Sequence, residues 1–547
     1  MASWLTFAAF ALLYFRSAIA TPNCPIYGAE FPAPQRLSQH PIWQQAVNNL
    51  SIAFDYMDAG ETGVNLSYSV QIFSTNPEGG ILGERYWTAT NISSDSGGVK
   101  QVNGDTVYRI GSVSKIFAVL AFLAEVGDRD WNTPITEFIP ELARYSRQAL
   151  TLPVDDVRRT DWDDITIGAL ASQVSGIGRD YGVLGELTQT QNISIPWESS
   201  FPAIRRQSLP PCGAWPLCNR QEFFLGIESM YPSFLPWQTA AYSNIGYQLL
   251  SYALESISNK KFVDVLFDRV IKPLNLTHTY YDFAPPSVGI IPTDQTEDYW
   301  WVNLGEASPG GNMFSSANDI SKLGHAILSS KLIKPSLTRR WLNPVTFSSD
   351  FSASVGAPWG IRRIPLGPIE QPFRSISAYT KAGTFRHYTA FLSLLKEYNL
   401  GFTIMMAGKS LVSNFMIADT LGASLIPAYD AVARDEADSI YSGVYVSYGA
   451  NAMPNSSLII STDPRKPGLG LSSWISNGTN MVEKAIQLST GSSSLALNPE
   501  ARLYYTQLET KAKNGKKRQA WKAVFEDTGA PTPSGPLLFS TVCGSWW

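Results

Sequence analysis

The chain is poor in the residues that bind metal. Its 547 residues hold four histidines and four cysteines. Cys212 and Cys218 lie close together, but no histidine or further cysteine is near them, so neither a metal site nor a cofactor is expected. An excess of one charge is missing too. A net charge of -4 and a pI near 5.7 give no electrostatic reason to expect nucleic acid or an anionic membrane as partner. Beyond the first twenty residues no apolar run is long enough to cross a bilayer. There is no internal repeat, low-complexity segment or Ser/Thr-rich stalk to suggest a structural wall protein. Gly-x-Ser-x-Gly is absent, which argues against an α/β-hydrolase, and no metal-hydrolase signature occurs.

What is present describes a well-packed protein. Hydrophobic residues make up 44% and aromatics 12%, and the length exceeds what one core serves, so two domains are expected. Residues 2–15 are apolar or small, and Ala18-Ile19-Ala20 offers a cleavage pattern. This reads as a secretory signal over residues 1–20. An uncleaved anchor is the alternative, although the run is short for a span. Asn-x-Ser/Thr triplets at Asn49, Asn65, Asn91, Asn192, Asn275, Asn455 and Asn477 fit a secreted, glycosylated product. In an oxidising compartment the cysteines allow three pairings. Cys212 with Cys218 would close a small loop, leaving Cys24 for Cys543.

Residues 21–38 are proline-rich and read as extended. From Pro41 to Gly60, Trp43, Val47, Leu50 and Phe54 recur at helical spacing. Strands are predicted near Ser67–Phe73, Glu84–Thr90, Thr106–Ile110, Ala390–Leu395 and Phe402–Met406. Helices are predicted at Asp161–Ser175, Gly246–Ile257, Phe262–Leu274, Asn318–Leu328 and Asn414–Leu425. Residues 180–236, rich in proline and tryptophan, read as an irregular insertion. The order points to an α+β fold with a mainly antiparallel sheet. Ala428–Asp438 reads as a charged connector. After it, short alternating runs and an Asn514-Gly515 hairpin signal predict an all-β domain. The expected division is a signal at 1–20, a catalytic domain at 21–429 and a C-terminal β domain at 430–547.

Three short motifs carry chemistry. Ser112-Val-Ser-Lys115 follows a β-like run and opens an apolar helix, putting hydroxyl and amine on one face. Tyr242-Ser-Asn244 precedes the next helical run and can offer a phenol and an amide to one site. Lys381-Ala-Gly383-Thr384 offers, on an edge strand, a cation, close backbone approach and a free N–H. Each has an ordinary explanation: Ser112 as a helix N-cap, Lys115 as a solvated lysine, Tyr242 and Asn244 as turn residues, Lys381 as an edge charge. Ser258-Asn-Lys-Lys261 also matches Ser-x-x-Lys, so the pattern alone is weak. His387 reads as a satisfied surface histidine.

Taken in this order, the three motifs resemble those of the serine β-lactamase and penicillin-binding superfamily. The surrounding text extends the likeness: Ile165-Thr166 through Val174-Ser175-Gly176, Tyr242-Ser-Asn-Ile-Gly-Tyr247, and Pro309-Gly-Gly-Asn-Met-Phe-Ser-Ser-Ala-Asn-Asp319. Over residues 45–425 the chain resembles class C β-lactamases and their relatives, and most of all secreted fungal β-lactamase-like proteins. The resemblance implies an antiparallel sheet flanked by helices, with a helical subdomain. It implies Ser112 as nucleophile, Lys115 with a lowered pKa sharing the proton work, and Tyr242 as relay with its phenolate favoured by both lysines. Asn244 would hold Lys115 and a substrate amide, and Lys381 would offer charge. The N–H groups of Ser112 and Thr384, beside Gly383, would form the oxyanion hole. Ala382 departs from the threonine of many members, removing a hydroxyl for a substrate carboxylate. The expectation is a secreted serine hydrolase acting on a small-molecule ester, thioester or amide. An acyltransferase of secondary metabolism and an idle binding or sensor protein are the alternatives.

Overall fold

The computed structural model describes residues 26–76, 79–149, 157–181, 212, 217–228, 230–367, 374–449, 454–490, 493–511 and 517–528. The signal region, Cys24, Cys543, Asn192 and the Asn514-Gly515 turn lie outside them. The chain divides into two compact units. The larger comprises Gln44–Arg363 and Ser377–Leu425. The smaller takes in Ile364–Ile376 as well as the described residues before Gln44 and after Leu425.

In chain order the strands that matter are β1 (Leu66–Ser74), β2 (Gly80–Trp87), β3 (Val107–Arg109), β4 (Phe314–Ser316), β5 (Thr346–Phe347), β6 (Ala353–Val355), β7 (Gly360–Leu366), β8 (Arg374–Phe385), β9 (Tyr388–Leu395) and β10 (Leu400–Gly408). They form an eight-stranded sheet in the order β2-β1-β10-β9-β8-β7-β6-β5, while β3 pairs with β4 apart from it. β1 and β10 are buried on both faces, as helices on either side require. The named helices are α1 (Pro41–Ala59), α2 (Ser114–Val126), α3 (Ile167–Ala171), α4 (Arg220–Ile227), α5 (Ile245–Ser258), α6 (Ala317–Leu328) and α7 (Asn414–Tyr441). α2 is apolar all round and Lys115 through Leu123 are buried, so it runs through the core. It ends where Gly127 turns to φ 73°.

Several expectations need correction. Asp161–Ser175 is not one helix: Ile165 is extended, and only Ile167–Ala171 is α-helical, capped by the Thr166 hydroxyl. The 180–236 stretch contains α4, whose start is a capping box between Asn219 and Glu222 and whose Phe223, Phe224 and Ile227 are buried. The charged stretch Ala428–Asp438 is the second half of α7, because Tyr429, Val432, Ala433 and Ala437 recur at helical spacing and are buried. Finally, β8 is not an edge strand but lies between β9 and β7.

The smaller unit has its own sheet. β11 (Gly443–Val446), β12 (Ser457–Ser461), β13 (Leu469–Ser476), β15 (Pro499–Lys511) and β16 (Lys517–Asp527) pair in that order, with β14 (Thr479–Asn480) on β13. It is β-rich rather than all-β, since α8 (Met481–Thr490) buries Val482 and Ile486 against Leu471 and Ala501. Among the described residues no helix is long and apolar enough to cross a membrane.

Candidate active site

Three elements of the larger unit bring the sequence motifs together. β3 ends at Arg109, and Gly111–Val113 forms a tight 3-10 turn before α2 begins at Ser114. Ser112 therefore sits on the turn, with Lys115 in the first helical turn behind it. Gly111 has φ 49°, and a methyl group on it would stand 2.6 Å from Thr384 N. A methyl group on Gly383 would stand 2.0 Å from Ile110 O and 2.7 Å from Ser112 N. Main chain thus meets main chain, and only glycine permits it at either position.

This contact sets the amides. β8 and β9 join through a two-residue turn, with Phe385 opposite Tyr388 and Thr384 opposite Thr389. Antiparallel pairs alternate between bonded and non-bonded, so the Thr384 N–H turns away from β9, toward Gly111. At this level β7 has not begun: its first residue, Gly360, accepts from the Thr380 hydroxyl at 2.8 Å. Where Lys381–Thr384 faces the serine, β8 stays paired with β9 but extends past the start of β7 on its other side.

Around Ser112 Oγ the side chains converge. The Tyr242 hydroxyl donates to it. Lys115 Nζ lies 3.2 Å from it and donates to Asn244 Oδ1 at 2.6 Å and to the Gly310 carbonyl. Lys381 Nζ donates to Ala382 O at 2.7 Å and sits 5.3 Å from the Tyr242 ring centroid. Ser112 is half-buried, Lys115 and Lys381 are buried, and Thr384 is exposed, so the serine is open to solvent while both amines are not.

The electrostatics follow from burial. Desolvation first, and the neighbouring Lys381 charge second, push the Lys115 ammonium well below its ordinary value. Burial pushes Lys381 down to about 7. The Tyr242 phenol is pushed up to about 12 by burial, which outweighs its hydrogen bond with Ser112 and the Arg179 charge. Tyr242 as a residue is 38% exposed, yet its hydroxyl is held on Ser112. Lys115 Nζ and Lys381 Nζ lie 4.9 and 5.3 Å from the Tyr242 ring centroid.

Several neighbours went unread in the sequence. Asp180 Oδ1 accepts from Asn244 Nδ2 at 2.6 Å, and Arg179 O accepts from Asn244 N at 2.8 Å. The Gly310 carbonyl and the Tyr247 ring, 5.1 Å from Lys115 Nζ, complete the enclosure. None of these has a motif of its own; Gly310 and Tyr247 stood within stretches already singled out. Ser258 ends α5 and returns its hydroxyl to Leu254 O, and Lys261 is exposed, so the second Ser-x-x-Lys is a helix terminus. His387 is not a surface residue: Nδ1 lies 2.8 Å from Asp298 Oδ1, a fully buried carboxylate. Among the described residues no three His, Cys, Asp or Glu gather as a metal would need.

The family model described as β-lactamase matches residues 78–424. The chain belongs to the β-lactamase family. A second family model, described as the C-terminal domain of a "Beta-lactamase-like-like" group, matches residues 433–547. A "Beta-lactamase-like protein" of Arthroderma benhamiae is 30% identical, over 96% of this chain and 89% of that protein. A "Probable hydrolase M10" of Phoma sp. is 27% identical, over 88% and 78%. Among solved structures, the octameric penicillin-binding protein homologue from Pyrococcus abyssi has a TM-score of 0.49 and 14% identity, over 88% of this chain and 97% of that one. β-Lactamase-family members with hydrolase names place this chain among hydrolases.

Proposed function

We propose that the protein is a secreted serine hydrolase that cleaves an ester, thioester or amide through an acyl-Ser112 intermediate. The observation that carries this reading is the meeting of Lys115, Tyr242 and the glycine-flanked amides on one hydroxyl. Neutral Lys115 takes the Ser112 proton as Oγ bonds to the carbonyl carbon. The oxyanion rests on the N–H groups of Ser112 and Thr384. As the bond to the leaving group breaks, the proton passes to that group, with the Tyr242 phenol as the carrier at hand. Water then attacks the acyl carbon and gives its proton to Lys115, which passes it to Ser112 Oγ as the bond from Oγ to the acyl carbon breaks. A protein that only binds has no use for two desolvated lysines behind one serine. The substrate is a small molecule lacking the usual carboxylate contact, because Ala382 supplies no hydroxyl.

Secretion is supported by the leader and by the Cys212–Cys218 disulfide. It is also supported by the exposure of Asn49, Asn65, Asn91, Asn275, Asn455 and Asn477.

The test is intact mass after incubation with a fluorophosphonate or a labelled penicillin. Wild type should gain one fluorophosphonate and Ser112→Ala none, with turnover of an activated ester falling by up to about a million-fold. Turnover surviving in Ser112→Ala would sink the mechanism.

A further inference from the structure

Lys115 has three neighbours within hydrogen-bonding reach, and they are not equivalent. The Gly310 carbonyl only accepts. Asn244 can turn either its oxygen or its NH₂ toward Lys115. Ser112 can donate or accept. A neutral amine has two N–H bonds and one lone pair. If both N–H bonds go to Gly310 O and Asn244 Oδ1, the lone pair is left for the Ser112 hydroxyl, 3.2 Å away. If the Asn244 amide were reversed, its NH₂ would donate to the lone pair and the base would be blocked.

We infer that Asp180 is a positioning residue, which locks the Asn244 amide so that the lone pair of Lys115 faces Ser112. A carboxylate only accepts, so Asn244 must turn Nδ2 toward Asp180 Oδ1 at 2.6 Å, which leaves Oδ1 on Lys115. Reversal would set two oxygens against each other at that distance. The lock is itself held in place. Arg179 O receives the N–H groups of Asn244 and Ile245 at 2.8 and 3.3 Å, tying the Asp180 segment to the start of α5. Arg179 Nε meets Asp180 Oδ2 at 3.1 Å, fixing the rotation of the carboxylate.

Asp180 also acts on Lys115 through space. Among the described residues, the charged or titratable groups facing Lys115 are Lys381 on β8, Arg179 and Asp180 on the segment after α3, and Tyr242 and Tyr247 at α5. Asp180 is the one anion among them, and it holds the Lys115 ammonium higher than burial and the two cations would leave it. Removing that charge therefore makes Lys115 lose its proton at a lower pH.

The inference rests on Lys115 as the base, and the experiment separates the two. Asp180→Asn and Ser112→Ala are assayed across pH with an activated ester, and fluorophosphonate labelling is timed. Asp180→Asn can present either end of its amide to Asn244, so acylation should slow by about 10- to 100-fold, as losing a group that orients a catalytic partner typically does. The acidic limb of kcat/KM should move to lower pH. A loss of rate with the limb unmoved would mean a structural role only and overturn the inference. So would a wild-type rate in Asp180→Asn beside a dead Ser112→Ala. An active Ser112→Ala would instead overturn the reading of the whole site. If Asp180→Asn fails to fold, Asp180→Ser, which removes the charge in a smaller side chain, takes the same test.

Discussion

Lys115 and Lys381 are enclosed behind the serine with one carboxylate among the described residues, Asp180, acting on the first, and their burial has a consequence for the folded protein as well as for the reaction. Lys381 titrates at about 7 when folded and near the free value of about 10.4 when unfolded. Between those values the unfolded chain binds more protons, so stability rises with pH over this window. Lys381→Met should flatten the rise in urea midpoint between pH 7 and 9.5, with the variant more stable than wild type at pH 7. An unchanged slope would count against a largely neutral Lys381 at the upper end of that range. At this scale the sequence was informative where a residue type is chemically required, as at Ser112, Lys115 and Tyr242. It was silent where the group used is a backbone carbonyl, as at Gly310, or where an ordinary carboxylate acquires meaning from its neighbour, as at Asp180.

The elements matter here through close approach. The turn at Gly111 and the strand at Gly383 touch main chain to main chain, which sets Ser112 N and Thr384 N on one side. Gly383→Ala would push a methyl group into Ile110 O and Ser112 N, backbone atoms that cannot step aside as a side chain can. It should lower kcat by about 10²- to 10³-fold, the effect of losing one oxyanion donor. Circular dichroism should remain that of wild type, and a kcat within a few-fold of wild type would show that these amides are not used. Lys-x-Gly could be read as chemistry from the sequence. That β8 is interior overall yet open on its β7 side at the site could not, because strand order depends on β5–β7, which are short or carry charged residues among the apolar ones. The second half of α7 was misread for a related reason. Its charges are conspicuous, while its helical period rests on two alanines, a valine and a tyrosine.

At the scale of the whole molecule, segments far apart in the chain close the smaller unit through buried charge. Arg374 lies 2.5 Å from Glu30 and also pairs with Asp430, while Arg434 lies 3.6 Å from Glu30 and 3.5 Å from Asp430. Arg374→Ala would leave two acids buried with one remaining arginine, and should destabilise the unit by about 3 to 5 kcal/mol in chemical denaturation. A loss under about 1 kcal/mol would mean the cluster is hydrated. The sequence showed none of this, since residues 30, 374 and 430 carry no shared pattern. By itself it determined the antiparallel α+β class, most of the long apolar elements and the three reactive motifs. Hydrophobic period and residue chemistry are local properties that any fold must respect. Only the tertiary structure decided which tyrosine face meets the lysines, which amide end faces Lys115 and which amides turn toward Ser112. Direction and desolvation are set by groups distant in the chain, and they fix a protonation state as firmly as the side chain's own chemistry does.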